Sequence, residues 1–299
     1  MALSELRARA STVVSPPEKG EAPAARGAVT VIRPRRGWAA LDLRELWQFR
    51  ELLYTLAWRD IKVRYKQTAL GAAWAVLQPL TAMIIFTLFL GRLAKLPSDG
   101  LPYPLFTYAG LLLWQFFARA LGEASTSLVA NERIVTKVYF PRLILPASVV
   151  LAGLLDFLIA AGLLVVLMFY YGHAPGWTIA VAPLFIALAV VLALGVSFWL
   201  SALDVEFRDV RYTLPFLTQV WLFATPVVYP SSLVPEGWRA LYGLNPMVGV
   251  IEGFRWAVLG TAAPPDAAML VVSGIVTAVL FVTGMAFFRR MERTFADRI

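Results

Sequence analysis

LILPASVVLAGLLDFLIAAGLLVVLMFYY, residues 143–171, runs for 29 residues with one charge, Asp156. A bilayer core is crossed by about 20 helical residues, so this stretch is long enough to span it. Other runs match it. Ala72–Leu90 has 19 uncharged residues, Leu101–Ala118 18, Trp177–Leu203 27, Tyr212–Pro235 24 and Ala267–Phe288 22. An all-α membrane protein with six transmembrane helices is expected, over 72–91, 101–122, 143–171, 177–203, 212–231 and 267–288. Composition agrees: 59% of residues are hydrophobic and 15% charged, and mean hydropathy is +0.69. Soluble domains are about half apolar and a quarter charged.

Two uncharged runs before the last span, Ala240–Ile251 and Trp256–Pro265, have 12 and 10 residues. They are too short to cross and are expected to be re-entrant or interfacial within 240–265. Such backbone must be buried in protein or line a wet cavity.

The first 40 residues are rich in Ala, Arg, Pro and Gly and lack periodic apolar positions, so a disordered tail is expected over 1–40. No apolar run lies close enough to be a signal-peptide core. From Leu41 to Lys66 the pattern changes. Leu43, Leu46, Phe49, Leu53 and Leu56 recur at spacings of three and four, with Trp47, Tyr54 and Trp58 beside them and Arg44, Arg50, Arg59, Lys62, Arg64 and Lys66 supplying positive charge. An amphipathic helix in 41–70 fits the inner membrane surface; the alternative is a helix packed on a cytoplasmic partner. The membrane domain follows over 71–293.

Basic residues orient the chain. With the N-terminus inside, 14 Lys and Arg flank inner span ends, among them Arg59, Arg142, Arg208 and Arg289. The outer segments hold only four: Arg92, Lys95, Arg239 and Arg255. The positive-inside rule then places both termini in the cytoplasm, with the protein multi-pass in the inner membrane. The net charge of +8 and pI of 9.9 follow from this bias, so no nucleic-acid partner is expected.

Reactive chemistry finds little material. With no cysteine and a single histidine, His173, thiolate and histidine metal clusters are excluded and a Ser-His-Asp triad is disfavoured. No lysine precedes Ser or Thr, so no P-loop is present. Asp204, Glu206 and Asp209 are interleaved with Arg208 and Arg211, which fits a salt-bridged turn better than a metal site. No catalytic residue, metal or cofactor is assigned. His173, in a Gly/Pro turn, is expected to be solvated. Asp156 inside a span is costly; proton coupling, a helix–helix hydrogen bond and dimer packing are open for it. Glu252 and Arg255, three apart, can pair on one helix face, either at an outer gate or as an ordinary interfacial pair.

The loop NERIVTKVYFPRLILP, Asn131–Pro146, reads as a short amphipathic helix stopped by Phe140-Pro141. With Glu132, Arg133 and Lys137 it makes a docking knob or a solvated connector. In span five Tyr212, Phe216, Gln219 and Phe223 share a face, as do Trp74, Gln78 and Thr81 in span one. Such faces line a channel or pack against neighbours.

Three segments, RDIKVRYKQTALGAAWAVLQPL (59–80), LVANERIVTKVYFPRLILP (128–146) and RDVRYTLPFLTQVWLFATPVVYP (208–230), resemble the type-2 ABC exporter permeases that move bacterial cell-surface polysaccharides such as O-antigen, capsule and teichoic acid. The resemblance covers about Leu41 to Arg293. It implies a homodimer of six-span subunits with two copies of a separate ABC ATPase, which binds ATP and Mg, and a lipid-linked polysaccharide as substrate. The loop helix with Asn131, Glu132, Arg133 and Lys137 would couple to that ATPase, and the short segments in 240–265 would cap the channel. A drug or small-lipid permease is the rival within the fold. A membrane glycosyl or phosphosugar transferase is the rival outside it, and would need a large acidic catalytic loop.

Overall fold

The computed structural model describes residues 47–66, 71, 73–260 and 264–298. The tail expected at 1–40, and Leu43 and Leu46 of the amphipathic stripe, lie outside the described residues. The described secondary structure is helical. Helix α1 is Arg50–Lys66 and α2 is Ala73–Phe86, prolonged by a π-helical stretch to Leu93; α3 is Tyr103–Ser125. Two short helices follow, α4 (Ser127–Ala130) and α5 (Glu132–Lys137), then α6 (Ile144–Tyr170). A 3-10 turn, Trp177–Val181, leads into α7 (Ala182–Glu206), and α8 is Val210–Phe223. The chain ends with α9 (Glu236–Tyr242), α10 (Pro246–Leu259), α11 (Ala267–Met291) and α12 (Phe295–Arg298).

Among the described residues four helical segments are long and apolar enough to cross a membrane: Ala73–Leu93, Ile144–Tyr170, Trp177–Glu206 and Ala267–Met291. Between 17% and 39% of their most apolar windows is buried inside the protein, so most of that apolar surface is left for lipid or other protein to cover. The other two expected spans differ in kind. Helix α3 is buried without a break from Leu105 to Trp114. Surrounded by α2, α6, α7, α8 and α10, it needs no lipid-soluble face and tolerates Arg119 and Glu123 in its last two turns.

Helix α8 covers only part of the span expected over 212–231. It has 14 residues, about 21 Å of helix against a core of about 30 Å. Its end has a cause: Thr225 precedes Pro226, and a residue before proline avoids the helical region. The two short pieces expected in 240–265 are corrected. Residues 246–259 form one helix, α10, running straight through Glu252 and Arg255. It starts at Asn245, whose side chain accepts from the Met247 N–H at 3.2 Å, and stops at Gly260, whose φ of 59° suits glycine.

Helices α7 and α11 cross with their backbones in contact. A Cβ on Gly195 would lie 2.7 Å from the Phe281 backbone, and one on Gly284 2.2 Å from the Gly195 carbonyl oxygen. Backbones meet here because neither residue has a side chain, the usual device where lipid supplies no hydrophobic drive for helix association. Gly195→Leu or Gly284→Val should therefore cost about 1–3 kcal/mol by overpacking, read as a lower Tm in detergent. Gly162→Leu, where a Cβ meets nothing within 4 Å, should leave Tm unchanged.

Candidate functional site

Asp156 is on α6, twelve residues in from Ile144, and is 7% exposed. A carboxylate there costs several kcal/mol unless it is paired, and the structure pairs it three times. Arg119 of α3 donates to Oδ2 at 2.8 Å, Arg64 of α1 donates to the same oxygen, and the Tyr65 hydroxyl donates to Oδ1. Arg64 also donates to Glu123 of α3, and Arg119 to the Gln78 side-chain carbonyl of α2. Four helices are thus joined through one carboxylate.

Burial works against the Arg64 guanidinium, but Glu123 and Asp156 outweigh it and hold its pKa above the ordinary value. Burial, then the bond to Asp156, pushes Tyr65 up to about 12, so the phenol keeps the proton it donates. The acid is thus a paired, interhelical one. Arg119 falls inside the span expected over 101–122 and Glu123 just beyond it, yet neither was given a role, because spacing does not show what meets a helix face.

The α1 end of the bundle has its own small core, in which Leu56, Leu128, Val135, Phe140, Leu143, Phe288 and Phe295 are buried together. From it α5 projects. This helix is shorter than the loop suggested, since Val138 is already extended (φ −123°, ψ 133°). Val135 faces inward, while Glu132, Arg133 and Lys137 are exposed and, among the described residues, without ion pairs. Asn131 turns back, its amide donating to the Ser127 carbonyl at 2.8 Å.

Arg142 ties this loop to the last helix. Its backbone N–H donates to a Glu292 carboxylate oxygen at 2.9 Å and its guanidinium to the Glu292 carbonyl at 2.6 Å and the Val135 carbonyl at 3.5 Å. Asp204, fully buried, accepts from Arg211 at 3.1 and 3.3 Å, which is the salt-bridged turn expected from sequence. Among the described residues no metal-binding group of acids and histidines occurs.

At the opposite end Glu252 and Arg255 pair at 2.8 Å. Arg255 was expected in an outer segment, yet it is 1% exposed. Its guanidinium donates to the Pro226 and Val227 carbonyls at 2.9 and 3.0 Å and sits 3.6 Å over the Phe106 ring. The pair pins the turn after α8 to α3. Gly110 makes room for it: a Cβ there would come within 2.6 Å of Arg255 and 2.7 Å of the Val227 oxygen. His173 is likewise not simply solvated. It is half-buried, with Nε2 at the Leu259 carbonyl.

The two polar-aromatic faces behave as one class. Tyr212, Phe216, Gln219 and Phe223 on α8, and Trp74 and Gln78 on α2, are all exposed. Both helices flank α3. Only Leu214 of α8 is buried, as only Leu56 is of α1.

Among the described residues the bundle sets long apolar helices around a central one that carries charge, an arrangement suited to a membrane. The chain matches the ABC-2 type transporter family over residues 51–259, and it belongs to that family. It is similar to the O-antigen export system permease protein RfbA of Myxococcus xanthus, with 33% identity covering 86% of this chain and 98% of that protein. The RfbA protein of Klebsiella pneumoniae is 32% identical over 83% of this chain and 94% of its own length. The polysialic acid transport protein KpsM of Escherichia coli is 23% identical over 78% and 91%.

Replacing Asp156 by Asn should leave Arg64 and Arg119 short of an acceptor charge. Stability in detergent should fall by about 3 kcal/mol, the range for a broken buried pair. Adding Arg119→Gln to Asp156→Asn should cost far less than the two single losses combined, because the residues share one interaction.

Proposed function

We propose that this chain is the membrane-spanning permease of an ATP-driven exporter that moves a lipid-linked polysaccharide of the O-antigen kind across the cytoplasmic membrane. One observation carries the substrate: the likeness to an O-antigen export permease over 98% of that protein's length. The polysialic acid transport relative supports the same class of cargo.

In this reading the permease is a homodimer of six-span subunits with both termini in the cytoplasm. Helices α3 and α8 complete the spans, and α9 and α10 are the re-entrant cap. Two copies of a separate ATPase bind ATP and Mg and press on α5 through Glu132, Arg133 and Lys137. The Glu252–Arg255 pair steadies the outer gate. The exposed rings of α8 and Trp74 of α2 face the polymer across the dimer. Flat rings meet sugar C–H faces while Gln78 and Gln219 exchange hydrogen bonds with hydroxyls, so no single site holds a chain that must keep moving.

Deleting the chain from its own cell should leave polymer trapped inside, and restoring it should return polymer to the surface. The triple change Glu132→Lys, Arg133→Glu, Lys137→Glu should reach the membrane but fail to restore export. Normal export by that variant would refute the docking role, and a cell surface unaltered by deletion would refute the substrate.

Alanine at Tyr212, Phe216 and Phe223 should slow export several-fold while leaving assembly and basal ATP hydrolysis intact. Leucine keeps bulk and loses the flat face, so it should slow export as alanine does. Leucine variants that export normally, beside alanine variants that misassemble, would make these rings packing residues.

A further inference from the structure

Helix α1 does more than contribute Arg64. Leu56 packs into the core at the basic end, whereas Arg64, two turns later, meets Asp156 well inside α6. Helix α1 therefore climbs along α6, with Arg50 at its foot. Between the two helices runs a groove of about 290 Å³ lined by Arg50, Leu53, Tyr54, Trp58, Ile61 and Leu151. Its walls are apolar apart from the cation at the foot.

Arg50, Tyr54, Trp58 and Lys62 fall on one i+4 row. The two rings stack with centroids 6.4 Å apart and planes 5° off parallel. Arg50 lies 5.3 Å over Trp47 and Lys62 5.6 Å over Trp58. Arg59 pairs with Asp60 at 2.9 Å, and Arg64 with Glu123 and Asp156, while Glu51 at the foot and Lys66 at the far end form no ion pair among the described residues. Among the described residues Arg50 and Lys62 have no acid partner.

We propose that this groove is a binding site for one anionic glycerophospholipid of the inner leaflet. The phosphate sits on Arg50 and one acyl chain rises along Leu53, Ile61 and Leu151. Charge and direction both favour this occupant. The cation stands at the foot of α1 and the apolar floor continues upward, the order in which a phospholipid presents phosphate and chain. Arg50 to Ile61 is about 16 Å of helix, room for a single chain. Tyr54 and Trp58 suit the headgroup boundary, where an amphipathic ring is half wetted. The site is independent of what is exported.

Native mass spectrometry of the full-length chain, delipidated in detergent, tests this. Phosphatidylglycerol, phosphatidylcholine and a polyprenyl monophosphate are titrated separately. One phosphatidylglycerol per chain should bind about tenfold more tightly than phosphatidylcholine, whose choline cation offsets the phosphate charge that Arg50 meets. Arg50→Gln should erase that preference and Arg50→Lys should keep most of it, each with an unchanged elution volume. Leu53→Trp, which fills the groove while sparing the cation, should weaken both phospholipids. Equal binding of the two phospholipids by the unaltered chain would overturn the proposal. So would a preference unmoved by Arg50→Gln. Tighter capture of polyprenyl phosphate would assign the groove to a carrier lipid instead. Binding seen only after removal of residues 1–40 would assign it to the chain's own tail.

Discussion

A carboxylate inside an apolar bundle has to be neutralised where it stands, and the architecture around Asp156 follows from that demand. Two guanidiniums and a phenol converge on it from α1 and α3. Because the donors come from two other helices, neutralising one charge ties α1, α3 and α6 together. Gln78 brings in α2 and Glu123 balances the second nitrogen of Arg64. Apolar packing alone leaves helices free to slide in lipid, since one oily contact replaces another. A directional ion pair does not. The same economy recurs at the other end, where Arg255 holds a turn that would leave the Pro226 and Val227 carbonyls unpaired.

Much of this was legible in the sequence because burial in lipid is written in composition. Runs such as 143–171 can hardly be anything but spanning helices. The salt-bridged turn at Asp204 could be read from interleaved signs. What stayed hidden was partnership. Spacing shows which face a residue occupies but not what meets that face. Asp156 therefore looked solitary although three donors surround it, and Arg255 was counted among outer charges although the bundle closes over it. Arg119 and Glu123 were passed over for the same reason, since spacing does not show that α1 and α6 meet them. The length of α8 was missed because Thr225-Pro226 ends the helix inside an uncharged run.

The family and its relatives give this arrangement its context. In a transporter subunit the elements that change position are expected to be those with the least fixed packing. Helix α8, with a single buried residue, is such an element, whereas α7 and α11 touch backbone to backbone and share no freedom at their crossing.

That contrast has a mechanical side. Arg142 fastens the loop after α5 to Glu292 just beyond α11, and Phe295 is buried in the same small core. A load applied at α5 would therefore reach the foot of α11 rather than a free loop, and the glycine crossing joins α11 in turn to α7.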